Sequence, residues 1–362
     1  MEQARYEIRL YDPTTGGLSA IFDSWISLHY EKEVNAVSTL SLSIPLDDPR
    51  VALFNLDAIV EVWRTPFGSA PYNDFTGFHR SPQMAIQSNK KVFSSTTRSL
   101  TDLIARRAIL YPKTTAYSLK SGPGETVIKS YVDENAGPGA NAVSRLVSGV
   151  TYGLALEADA AQGLDWFGDQ SYINLLDVIK EIASVTNVDF DVIRVGALDF
   201  EFRCYYPQRG TDRRASVIFG PNLGNMIDPV YSMSRTDEIT YAAALGSGSG
   251  LTRHVVGAAA TAESDSLWNH VEAIESAVSE DTYNALLAAA NTKLEDSRAQ
   301  ETFTFNIIPS AKVYGRDYFL GDIVTATFET VIRVMKITGV TVDVAEGKES
   351  VSCTFRQLPL TA

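Results

Sequence analysis

The chain has 362 residues, 45% of them hydrophobic and 21% charged, with a formal net charge of −13. That composition excludes global disorder and leaves room for about two to four domains with sizeable cores. The acidic balance disfavours a tight nucleic-acid binder, whose affinity comes from Lys and Arg, but not a surface past which DNA slides without sticking.

In chain order, Met1-Glu2-Gln3-Ala4-Arg5 carries no apolar leader core, and no run approaches membrane-spanning length, so a soluble protein made in the cytoplasm is expected. Residues 5–98 read as β. Tyr6–Leu10 alternates, Asp12-Pro13-Thr14-Thr15-Gly16-Gly17 is turn chemistry, and Trp25–Tyr30 begins a further strand.

A pattern then occurs that the chain uses twice. Thr39-Leu40-Ser41-Leu42-Ser43-Ile44-Pro45 and Thr302-Phe303-Thr304-Phe305-Asn306-Ile307-Ile308-Pro309 both alternate with period two before a proline. Ile59-Val60 and Ile323-Val324 follow, each 14 residues after its proline, and Thr76-Gly77 and Thr338-Gly339 come next. Repeated spacing marks one supersecondary unit present twice, with each glycine allowing a bulge or a close backbone approach. A small antiparallel barrel or sandwich, built twice, is the expectation, with Ile59 equivalent to Ile323 and Gly77 to Gly339.

Between the copies the period changes. Ser99 can cap a helix holding Leu100, Leu103, Ile104 and Ile109 that Pro112 ends. Glu125–Ala136 is a second helix and Ser171 caps a third, through Leu175, Leu176, Ile179 and Ile182. From Gly137 to about Asp169 a long loop is expected. A hairpin follows, Val188–Ile193 and Ala197–Tyr206, turned at Val195-Gly196. Arg209–Arg214 reads as a solvated basic turn at a boundary. Tyr231–Ala242 resembles the Trp25–Asn35 region in position. Residues 258–299 read as an acidic helical insert, its main helix capped by Ser279 and striped with Tyr283, Leu286, Leu287, Ala290 and Leu294.

The expected fold class is therefore β-rich α+β. Its domains are a first barrel at 1–98, an inserted α+β module at 99–215, a second barrel at 216–258 with 300–362, and the helical insert at 259–299.

The search for chemistry gives little. Gly246–Gly250 is neither a nucleophile elbow nor a phosphate loop. His29, His79, His254 and His270 lack metal spacing, and Cys204 and Cys353 read as buried free thiols. Asp189 and Asp191 share one strand face, as a cation site, an acid–base pair or a solvated surface. Trp166 and Phe167 are the only loop aromatics that could serve a sugar or protein platform. No catalytic, cofactor-binding or metal-binding residue is assigned, and no enzyme activity is expected.

Several segments carry a resemblance: Trp25–Tyr30, Asn35–Pro45, Glu61-Val62-Trp63-Arg64, Thr76-Gly77-Phe78, Leu103–Arg107, Gly224-Asn225-Met226 and Tyr314–Asp322. Together they resemble a tail-hub family of long-tailed bacteriophages, similar to the baseplate hub of contractile-tailed phages. The resemblance implies a virion protein at the tail tip, two related barrels per chain, and a homotrimer forming a pseudo-six-fold ring around the DNA exit channel. The implied partners are a distal tail ring protein, the tail tube, a tape measure protein, and a tail fibre or tip/spike protein. DNA would pass without specific binding, and no membrane is involved. With the chain ending at Ala362, no part beyond the hub is expected. The rival readings are a receptor- or carbohydrate-binding tail protein and, further off, a cell-wall hydrolase.

Overall fold

The computed structural model describes residues 4–87, 89–110, 118–140, 154–261, 267–276, 282–308, 312–345 and 347–358. Pro112, Ser279, Pro309 and most of the 137–153 stretch lie outside them. The described chain divides into one compact unit of 1–227 with 306–362 and a second of 228–305.

The first unit begins with seven strands: β1 (Arg5–Tyr11), β2 (Leu18–Phe22), β3 (Ser27–Glu33), β4 (Thr39–Pro45), β5 (Ile59–Thr65), β6 (Tyr72–Gln87) and β7 (Lys90–Ser99). Leu40, Leu42 and Ile44 of β4 point inward and Ser41 outward, as the alternation requires. The inserted module follows: α1 (Asp102–Ala105), β8 (Leu119–Pro123), α2 (Gly124–Ala136), β9 (Leu154–Leu156), β10 (Asp165–Asp169), α3 (Leu175–Thr186), β11 (Asp189–Arg194) and β12 (Phe200–Tyr205). Its core of Val127, Ile128, Tyr131, Ile179, Phe190 and Phe202 is continuous with Ile59 and Phe78 of the sheet.

After β13 (Ile218–Phe219), the chain runs through β14 (Met226–Ser234), β15 (Tyr241–Leu245), β16 (Val255–Ala259), β17 (Glu272–Ser276), α4 (Tyr283–Asp296) and β18 (Gln300–Ile307). It ends with β19 (Ile323–Phe328), β20 (Val331–Ala345) and β21 (Lys348–Gln357).

The two expected barrels are absent: among the described residues no sheet closes on itself. Eleven strands form one sheet in the order β13-β19-β20-β3-β4-β7-β6-β5-β1-β2, with β21 also on β20. Strand length is the cause. β20 has 15 residues and β19 only 6, so β20 pairs β19 through Lys336 and then β3 from Gly339 onward. The second half therefore opens into the first.

Of the expected repeat, a similar order of strands is seen. β3 pairs β4 and is followed by the β5-β6-β7 meander; β14 pairs β18 and is followed by the β19-β20-β21 meander. β4 also pairs β7, whereas among the described residues β18 pairs only β14. The glycines do not match in register: Gly77 lies opposite Val60, but Met335 lies opposite Val324. Each still does what a glycine there allows. A Cβ on Gly77 would sit 2.3 Å from the Arg98 carbonyl oxygen, and Gly339 adjoins a bulge.

Three helix starts differ from expectation, the third being α4, which Thr282 caps in place of the expected Ser279. Ser99 is consumed by β7, where its hydroxyl accepts from Ser38 N at 2.9 Å, so α1 shrinks to one turn. Asn174, not Ser171, caps α3, accepting from Leu176 N at 2.9 Å. The expected long loop contains β9, parallel to β12, and β10, antiparallel to β8.

In the second unit β15 is flanked by β16 and β17, and α4 packs on one face. The predicted insert is thus part of a small α+β unit, not a helical one. Thr282 caps α4, its hydroxyl accepting from Ala285 N at 3.3 Å. Leu286, Ala290 and Leu294 are buried against Ala242, Ala244 and Val256, while Tyr283 is exposed. Leu286→Ala should cost about 2–5 kcal/mol in urea unfolding, and Leu287→Ala, at a half-buried position, clearly less. Equal costs would contradict this packing.

Candidate functional site

Inward-facing positions of the large sheet carry charges where the alternation would place apolar groups. Val60, Val62 and Arg64 share one face of β5, and Leu28, Tyr30 and Lys32 one face of β3. These residues meet Asp74 of β6 and the segment 313–322 that leads into β19.

Asp74 is sealed from solvent and accepts from Tyr30 Oη (2.7 Å), Tyr314 Oη (2.7 Å) and Lys32 Nζ (2.5 Å). Burial alone would push its pKa up. The Lys32 ammonium and the hydrogen bonds outweigh burial and hold the carboxyl below its ordinary value. Beside it, Arg64 is 1% exposed and pairs with Glu349 of β21 at 2.6 Å. Arg64 also donates to Tyr6 Oη (2.9 Å) and to the Tyr314 carbonyl. Gly315 makes room for this contact: at φ +79° it holds a left-handed turn, and a Cβ there would stand 2.7 Å from Arg64 Nη1.

A second cluster ties in the inserted module. Asp189 and Asp191 are not a solvated face and bind no other acid. Asp189 accepts from Lys336 Nζ of β20 (2.5 Å), Arg209 N (2.7 Å) and Asn35 Nδ2 (3.1 Å), and Asp191 pairs with Arg209 at 2.6 Å. The Arg209–Arg214 turn is correspondingly a clasp. Buried Asp322 accepts from Thr211 N at 2.6 Å and Arg213 Nε at 2.8 Å, and only the Arg214–Asp212 pair faces water. A third tie joins Arg194 of β11 to Glu61 of β5 at 2.9 Å, with the guanidinium over Tyr11.

Cavities of about 250 and 290 Å³ flank these clusters. Every cation lining them (Lys32, Arg194, Arg209, Arg213) already has a carboxylate.

The other sequence candidates fall elsewhere. Trp166 packs edge-on against Tyr131, while Phe167, its neighbour on β10, is 74% exposed on the opposite face, so the two make no shared platform. His79 Nδ1 lies 2.6 Å from Ser95 Oγ, but both residues are wholly buried, closed to a substrate in this conformation. His29 sits beside Asp343 and Glu31, and His270 beside Glu272. Both cysteines are free and half-buried, not fully buried as expected, and desolvation still pushes both thiols up, Cys353 to about 12. Among the described residues no group of three or more His, Cys, Asp or Glu is placed to hold a metal ion. No helix among them is long and apolar enough to cross a membrane.

A family model described as Siphovirus ReqiPepy6 Gp37-like protein matches residues 7–355. The chain belongs to this family of siphovirus tail proteins. Its fold is similar to that of the 43 kDa tail protein of prophage MuSo2 from Shewanella oneidensis, with a TM-score of 0.58 at 11% identity over 97% of this chain and 98% of that one. The tail protein from Neisseria meningitidis MC58 gives 0.56 at 12% identity over 99% and 97%. A chain of the Francisella PdpA–VgrG complex gives 0.56 at 8% identity, covering 98% of this chain and 58% of that one. No curated protein matches the sequence. The siphovirus Gp37-like chain is thus a β-rich α+β phage tail protein, located in the virion tail.

Sequence reasoning missed the charged junction, although a signal was present. Arg64 and Lys32 each continue an inward-facing apolar row, and a cation there must find a buried acid. Removing that acid should be severe: Asp74→Ala strands Lys32 and should cost about 3–5 kcal/mol. The pH dependence has a definite sign. The folded pKa lies below the unfolded 3.8, so the stabilisation is complete above that value and is lost as pH falls through the folded pKa. Asp74→Asn should therefore lose stability at neutral pH and show a flatter acid limb than wild type in denaturant titrations. Parallel acid limbs would contradict the assignment.

Proposed function

We propose that this tail protein is the structural hub of the tail tip, three copies forming a ring around the channel through which DNA leaves. The observation that carries the reading is the strand arrangement used twice, a paired strand couple followed by a three-strand meander. A tail tube is six-fold, and a chain that presents one unit twice can match it with three copies about a closed axis. The tube and a distal tail ring protein would lie on one side, and a fibre or tip/spike protein on the other, with the tape measure protein reaching the ring.

The buried ion pairs suit such a part. They lock strands far apart in sequence, which favours a rigid adaptor over a catalyst. The net charge of −13 supports an acidic channel wall. Lys- and Arg-rich walls would hold phosphates by counterion release, whereas acidic walls leave a duplex mobile.

Cryo-microscopy of the particle tests this. Three copies at the tail tip, with a net negative channel wall, are expected. Six copies, or a wall dominated by Lys and Arg, would overturn the proposal.

A further inference from the structure

A third cavity, of about 200 Å³, lies where α3 meets the β20–β21 ladder, and its charges do not balance. The register sets Lys336 of β20 directly opposite Arg356 of β21. Like charges at opposed positions repel and destabilise a ladder. Lys180 of α3 lines the same space. The only lining acid is Asp189, whose oxygens are already taken by Lys336 Nζ, Arg209 N and Asn35 Nδ2.

Among the described residues neither Lys180 nor Arg356 makes an ion pair. Three cations therefore face one engaged carboxylate, in a chain that is strongly acidic overall. The contrast with the two flanking cavities is direct, since there every cation is matched. Lys336 registers the imbalance. Burial holds its ammonium below the ordinary pKa, and the Arg356 charge adds to the effect against the pull of Asp189.

We infer that this cavity is an anion-binding site that takes a small oxyanion group, a carboxylate or a phosphate, between Arg356, Lys180 and Lys336. A guanidinium engages two oxygens of one oxyanion, and an ammonium supplies a point charge from another direction. Ser184 and Asn187 of the α3 end add polar groups to the wall. The group can be a free anion, or the acidic side chain of a neighbouring protein entering from outside. Nothing in this inference depends on the hub reading.

The test uses the full chain in chloride buffer at fixed ionic strength. Inorganic phosphate and N-acetyl-aspartate amide are titrated separately, with amide NMR shifts around Asn187 and Arg356 and the thermal midpoint as readouts. Saturable binding with a Kd on the order of millimolar is expected, with a midpoint that rises with ligand. Tighter phosphate binding assigns the free anion, and tighter aspartate binding assigns the acidic side chain. Arg356→Gln and Lys180→Gln, both at exposed positions, should each weaken binding about tenfold, a difference of about 1.4 kcal/mol.

Without ligand, Arg356→Gln should melt at or above the wild-type midpoint, because it removes the repulsion with Lys336. A residue with a purely structural role would give the opposite sign. Non-saturating shifts that are equal in wild type and both variants would overturn the inference, as would a ligand-free Arg356→Gln midpoint below wild type.

Discussion

The architecture depends on one mismatch of strand length. β20 outruns β19, and the surplus backbone must pair or remain unsatisfied. It pairs with β3, which joins residues 27–33 to residues 339–345 in one sheet. That union brings together Asp74, Lys32, Tyr30 and Tyr314, and places Glu349 against Arg64. Each of these charges would be prohibitive if buried alone. Arg64 is tolerated because Glu349 arrives from the other half of the chain, and the Asp74–Lys32 pair of the first half gains the Tyr314 hydroxyl from there. Lys336, on the same strand, extends the arrangement to Asp189 of the inserted module.

Two insertions decorate this frame. The α+β module of β8–β12 follows the first meander and shares a continuous core with the sheet. The second lies between β14 and β18, with α4 on a three-stranded sheet, and belongs with most of that couple to the compact unit 228–305. Inserting a domain where a tight turn would otherwise join paired strands leaves the pairing itself intact.

Much of this was legible in the sequence, and the failures have physical causes. Period-two alternation exposed β4 and β18, and the apolar stripes of α2, α3 and α4 exposed the helices, because these signals are local. Closure was not local. Whether a strand bends back on its own copy or crosses to another depends on how far it outruns its neighbour. Ser99 and Ser171 were plausible caps, but Ser99 was claimed by a strand and Asn174 stood closer to the start of α3. β9 and β10 have three and five residues, too few for alternation to stand out among glycines and alanines. In the sequence Asp189 and Asp191 read as a strand face open to water or a cation, and Arg209 as part of a solvated basic turn. The burial of Asp189 follows from partners more than a hundred residues away, Lys336 on β20 and Asn35 in the β3–β4 turn.

If β20 truly fuses the halves, they must open together. Native-state hydrogen exchange under increasing denaturant tests this directly, since amides that open in one cooperative step share one free energy and one denaturant slope. The expected result is a single isotherm for the ladder amides of β3, β4 and β20, the 228–305 unit being free to open separately. Exchange of β20 and β21 through an earlier opening, with β3 and β4 still protected, would contradict the account.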